Sequence, residues 1–174
     1  MTHRAASAAA GTTTNVVVAL LALAVHALPV TAQGSDAGEG VRLGVSVGGI
    51  SRVGVVVELF RDTHAVELAL GTWSFRELSL SAVYKEYFFG SRVRPFVGAG
   101  LWAVAAFPPS ERTGLALVLR APVGVDWSFV DNHSIGAAIN LNRGLGVRRN
   151  DADDDLPLNR RLVPLPELYY RLTP

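Results

Sequence analysis

The chain has 174 residues, a length suited to one domain, with a net charge of +1 and no cysteine. Hydrophobic residues make up 49% and charged residues 18%, less than the roughly 25% charged share of soluble domains. The near-neutral balance excludes the strongly basic surface of a nucleic-acid binder. The missing cysteine excludes disulfides, thiol catalysis and a lipid-modified cysteine, so an exported domain of this size must rely on core burial, oligomerisation or lipid.

The N-terminus has the organisation of a cleaved signal peptide. Met1 and Arg4 supply the positive region, and Val16 to Val25 form an uninterrupted apolar run. Pro29 breaks the helix, and Val30-Thr31-Ala32 puts small residues before a cleavage point at Gln33. The apolar run is shorter than the roughly 20 residues of a spanning helix. The expected organisation is a signal peptide over 1–32, a flexible lead-in over 33–40 and a β-barrel domain over 41–174. Removing 1–32 takes away one Arg and leaves 15 basic against 15 acidic residues.

From Val41 onward the apolar period is two, the signature of strands with one apolar face. Val41, Leu43, Val45 and Val47 alternate with Arg42, Gly44, Ser46 and Gly48. The pattern returns in Val53–Leu59, Val66–Leu70 and Leu78–Tyr84, then in Val97–Ala103. It is clearest from Leu115 to Phe129, where every odd residue is apolar and Arg120, Asp126 and Ser128 fall on the even set. Pro122 inside this stretch predicts a bulge. Ile135 to Leu141 follows, and a weaker segment, roughly Arg161–Leu172, completes eight strands. Pro164 and Pro166 lie two apart there, so both missing N–H groups face the same neighbour, which favours an edge over a closing strand.

Eight strands match the smallest transmembrane barrels. The linkers after strands two, four and six are short, whereas 107–113 is longer and 144–160 much longer, as expected of periplasmic turns and outer loops. Two aromatic girdles are expected. One comprises Phe60, Tyr84, Tyr87, Phe88, Trp127, Phe129, Tyr169 and Tyr170, and the other Trp73, Phe75, Trp102 and Phe107. The fold class is therefore all-β: an eight-stranded antiparallel up-and-down transmembrane β-barrel behind a signal peptide. A soluble sandwich or lipocalin-type barrel alternates in the same way. Its second face, however, would be richly charged, whereas here it is mostly Gly, Ala and Ser.

Two stretches carry a resemblance. Arg94-Pro-Phe-Val-Gly-Ala-Gly100, followed by the run Arg120–Gly136 with Pro-Val-Gly-Val-Asp-Trp and Asp-Asn-His-Ser-Ile-Gly, resembles the OmpA/OmpX-like outer-membrane β-barrel family. The resemblance implies the fold and an outer-membrane location, and carries no catalytic residue over. Such families usually end in an aromatic residue read by the barrel-assembly machinery; this chain departs from that with Tyr169-Tyr170-Arg171-Leu172-Thr173-Pro174.

Six charged residues fall on the small-residue face: Arg42, Glu58, Glu67, Lys85, Arg120 and Asp126. Burying them requires pairing, so they are expected to form a structural salt-bridged plug across a lumen too narrow for a wide pore. His133 beside Ser134 would suggest a hydrolase, but adjacent strand residues point to opposite faces, and no Gly-x-Ser-x-Gly elbow exists. The acidic run Asn150–Asp155 lacks the Gly and distal Glu of a calcium loop. A solvated run is the plain reading; a weak divalent-cation contact at the lipopolysaccharide surface is the other. No catalytic, cofactor or metal role is assigned to any residue. The leading expectation is a non-enzymatic outer-membrane barrel of structural or surface-interaction type. Its expected partners are outer-membrane lipid, lipopolysaccharide and the barrel-assembly machinery, with no nucleic acid. The alternatives are a soluble periplasmic barrel for an apolar ligand and a lipid-modifying outer-membrane enzyme.

Overall fold

The computed structural model describes residues 38–74, 76–88, 92–107, 113–148 and 161–174. The expected signal peptide, most of the lead-in, Phe75 and the acidic run 150–155 lie outside these residues. Eight strands form: β1 (Glu39–Gly48), β2 (Ser51–Arg61), β3 (His64–Thr72), β4 (Glu77–Tyr87), β5 (Val93–Ala106), β6 (Gly114–Val130), β7 (His133–Arg148) and β8 (Val163–Leu172). Each pairs antiparallel with its neighbours in sequence, and β1 with β8 closes the barrel. Among the described residues no helix forms.

Alternation dictates the polarity of the wall. Residues such as Leu43, Val55, Leu80, Leu101, Leu119, Ile139 and Leu168 stand exposed on the outside, and their strand neighbours turn inward, where they are buried or half-buried. Starting at Ile135, successive ladder partners are Tyr170, Val45, Val55, Leu70, Leu80, Ala103 and Leu117. Leu117 in turn pairs with Gly146, far along β7 from the starting point. This stagger is what tilts the strands of a closed barrel.

Several boundaries differ from expectation. β1 starts at Glu39, inside the supposed lead-in, and Gly38 C=O accepts from the Asp62 N–H across the β2–β3 turn. The first connection after an odd strand, Gly49–Ile50, is as short as the even turns, with Gly48 and Gly49 at φ of 85° and 65° making the tight reversal possible. β7 runs on to Arg148, so the long connection begins at 149 rather than 144. The Gly144–Gly146 stretch reads as a loop by composition. In the barrel it is strand, with a register shift between Leu117 and Val118 absorbing one extra residue.

The prolines resolve by orientation. Pro122 makes no bulge: it faces Asn140 in register, and the pairing with β5 resumes in the same register on either side of it. Its ring fits because Gly98 lies opposite, where a Cβ would come 3.1 Å from Pro122 Cγ. β8 is a closing strand, not an edge. Pairing with β7 runs through both Pro164 and Pro166, whereas pairing with β1 starts only at Glu167. The Gly49 N–H donates to the Pro166 carbonyl at 2.8 Å. A strand residue points its N–H and C=O to the same side, so the two missing donors face the β1 side, where β1 has already turned away.

Candidate functional site: a charged network inside the barrel

All six sequence-predicted charges, Arg42, Glu58, Glu67, Lys85, Arg120 and Asp126, are buried inside the barrel. Each sits on the inward set of its strand: β1 for Arg42, β2 for Glu58, β3 for Glu67, β4 for Lys85 and β6 for Arg120 and Asp126. β8 adds Glu167 and Arg171, so four buried cations meet four buried carboxylates.

Glu67 is the hub. Its carboxylate takes the Lys85 ammonium, Arg171 Nη2 at 2.5 Å and Arg120 Nη1 at 3.3 Å. Glu58 takes Arg42 at 3.0 Å, Arg171 at 3.1 Å and the Tyr87 hydroxyl at 2.8 Å. Asp126 lies 3.2 Å from Arg171 and 3.8 Å from Arg42. Arg120 reaches Glu167 at 2.6 Å, and its Nε donates to Asn140 at 2.6 Å. Asn140 in turn donates to Glu167 at 2.9 Å. Every buried charge therefore has an opposite partner, which is the condition for tolerating charge away from water.

Aromatic rings fill the space between. The Arg171 guanidinium lies 3.7 Å from the Tyr169 ring centroid, Arg42 4.3 Å from Phe60 and Lys85 4.5 Å from Phe96, within the range of cation–π attraction. Phe60, Ala65, Tyr87, Phe96, Ala138 and Tyr169 pack as one cluster. Ile50, Val56, Ala69 and Trp102 pack as a second, beneath the β1–β2 turn. Trp73 Nε1 donates to the Ile50 carbonyl at 2.8 Å and ties that turn down.

The expected girdles need correction accordingly. Tyr87 and Tyr169 are buried in the lumen, and Phe60 and Trp102 pack inward against the two clusters. Tyr84, Phe88, Trp127, Phe129 and Tyr170 remain outward at one end, and Trp73 and Phe107 at the other. Inward parity decides: Phe60, Tyr87 and Tyr169 share a face with Glu58, Lys85 and Arg171. The sequence reading also missed Glu167, Arg171 and Asn140. The β8 pair was detectable, because Glu167, Tyr169 and Arg171 alternate with Leu168, Tyr170 and Leu172; the two prolines masked the pattern.

His133 and Ser134 diverge. His133 Nδ1 shares a hydrogen bond of 2.5 Å with the Tyr170 hydroxyl on the outer face, and Ser134 is buried inside. Asp126 is inside and engaged by Arg171. The three do not form a dyad or triad.

No protein-family model matches the chain, and no curated protein matches it. A solved structure does: the N-terminal β-barrel domain of Pseudomonas aeruginosa OprF superposes with a TM-score of 0.57 at 16% identity. The match covers 81% of this chain and 99% of that one. The likeness is one of fold. It extends over the barrel, whose eight strands and closure are those described above.

Proposed function

We propose that this chain is an integral β-barrel of a Gram-negative-type outer membrane, with a structural or surface-interaction role and no catalytic activity. One observation carries the reading: the polarity of the barrel is inverted relative to a soluble one. The outer wall is largely apolar, from Leu43 and Val45 round to Leu168 and Leu172, with Arg143 in its β7 row, while eight charged residues are buried inside. Water would penalise such a surface, whereas hydrocarbon accepts it, provided the strand ladder leaves no edge. The strands run 9 to 17 residues, enough for the tilted span of about 9–11 residues that a bilayer needs. The likeness to the OprF barrel supports the same reading.

The soluble alternative requires an apolar interior for its ligand, and this interior is occupied by paired charges. Among the described residues no nucleophile and base are assembled for the enzymatic alternative. The partners follow from location: outer-membrane lipid and lipopolysaccharide around the wall, and the barrel-assembly machinery during insertion. Fractionation of an expressing Gram-negative strain tests the reading. The protein is expected with outer-membrane markers and with a heat-modifiable gel shift; recovery in the soluble periplasm would overturn it.

A further inference from the structure

We propose that the outer face of β7 binds one phosphate-bearing lipid, with its phosphate on Arg143 and an acyl chain in the groove over Ala137. The inference rests on the membrane reading above. The outward residues of β7 are His133, Ile135, Ala137, Ile139, Leu141, Arg143, Leu145 and Val147. Arg143 is the one charge in that row, is exposed, and pairs in register with the outward Leu119. Among the described residues no carboxylate pairs with it. A guanidinium on the lipid face of a barrel is costly at the bilayer centre and tolerated at headgroup level. Its planar fork matches phosphate oxygens, and its alkyl stem can reach them along the apolar wall.

A second observation lies lower on the same strand. Ala137 is a small outward residue whose ladder partners are Val125 on β6 and Leu168 on β8. The dip it leaves opens into an apolar groove of about 520 Å³, lined by Val47, Val123, Val125, Ile139, Pro166 and Leu168. Ala137 and Arg143 are six positions apart, about 20 Å along an extended strand, so a single lipid can occupy both. Since β7 runs toward the long β7–β8 connection, the leaflet concerned is the one on that side. On the outer-membrane reading its phosphorylated lipid is the lipid A of lipopolysaccharide, and that is the occupant to which the charge of Arg143 points.

Native mass spectrometry of barrel purified in detergent from the outer membrane tests this, with bis-phosphorylated lipid A, dephosphorylated lipid A and phosphatidylglycerol as probes. One lipid A per barrel is expected. Arg143→Leu should weaken retention about ten-fold, the order expected for a charged hydrogen bond, and Ala137→Phe should weaken it by filling the groove. Dephosphorylated lipid A should bind the unaltered protein as poorly as lipid A binds Arg143→Leu, a comparison that needs no substitution to fold. Arg52→Leu, exposed on β2, should behave as the unaltered protein. Equal retention by Arg143→Leu, equal binding of phosphatidylglycerol, or a dimer dispersed by Ala137→Phe would each overturn the site. If the variants keep the gel shift and the membrane location, that result leaves the barrel reading standing; absence from the outer membrane removes the barrel reading itself.

Discussion

Glu67 shows how much one side chain holds in a dry lumen. It anchors cations from three other strands, and its contact with Arg171 joins residues 104 positions apart. Removing it leaves Lys85, Arg120 and Arg171 with a shortage of negative charge, and breaking a buried pair costs about 3–5 kcal/mol. Glu67→Leu is therefore expected to destabilise the barrel by about that amount, measured by urea unfolding of the lipid-reconstituted protein. The double substitution Glu67→Leu with Lys85→Leu should lose less than the sum of the two single losses, because the second change removes a stranded charge. Additivity would mean the two groups do not interact. His133 gives the opposite case: placed outside on the Tyr170 hydroxyl, it is turned away from the buried Ser134 and cannot serve it as a base. His133→Ala should leave lipid turnover by an overexpressing strain unchanged, and any loss of a lipase or deacylase activity on this substitution would contradict the non-enzymatic reading.

At the scale of elements, three glycines of the inward face are seats for aromatic rings. Gly40 pairs with Phe60, Gly124 with Phe96 and Gly136 with Tyr169. A Cβ at these glycines would lie 2.7, 2.8 and 2.2 Å from the respective rings. The small-residue face is thus complementary to the large residues of the next strand, in the manner of an aromatic covering a cross-strand glycine. Gly136→Val should displace Tyr169, and with it the ring beneath Arg171. Overpacking of this kind costs typically about 1–3 kcal/mol, to be read as a lowered urea midpoint. An unchanged midpoint would show that the lumen has slack. The prolines make a complementary prediction. Pro166 offers no donor on a side where β1 has ended, so Pro166→Ala should restore no ladder bond and shift stability by less than about 1 kcal/mol.

For the whole molecule, paired charges and the rings packed against them occupy the lumen, with the second apolar cluster beneath the β1–β2 turn. An eight-stranded barrel is only wide enough for its own side chains. Reconstituted vesicles are therefore expected to resist swelling in small sugars as well as protein-free vesicles do. Swelling comparable to that of a porin would mean that the network does not fill the interior. β6 and β7, at 17 and 16 residues, outrun the 9 to 11 residues of β1–β4, so one side of the wall stands taller, at the end that carries the two long connections.

The sequence by itself determined the class of fold, the number of strands and the inward position of Arg42, Glu58, Glu67, Lys85, Arg120 and Asp126. These depend on a period of two, a local property that each strand displays whatever it pairs with. Glu167, Tyr169 and Arg171 do carry the inward parity of β8, and Tyr87 that of β4, although the two prolines mask the pattern in β8. The sequence did not determine which charge meets which: that outcome depends on register and stagger, which bring together residues far apart in the chain and leave no trace in local spacing. The same holds for the ends of the strands. Gly144–Gly146 is strand only because β6 is there to pair with it, and Pro164 and Pro166 are harmless only because the staggered closure puts their missing donors beyond the end of β1. Closure of the barrel, the feature that periodicity cannot encode, is decided by tertiary geometry alone.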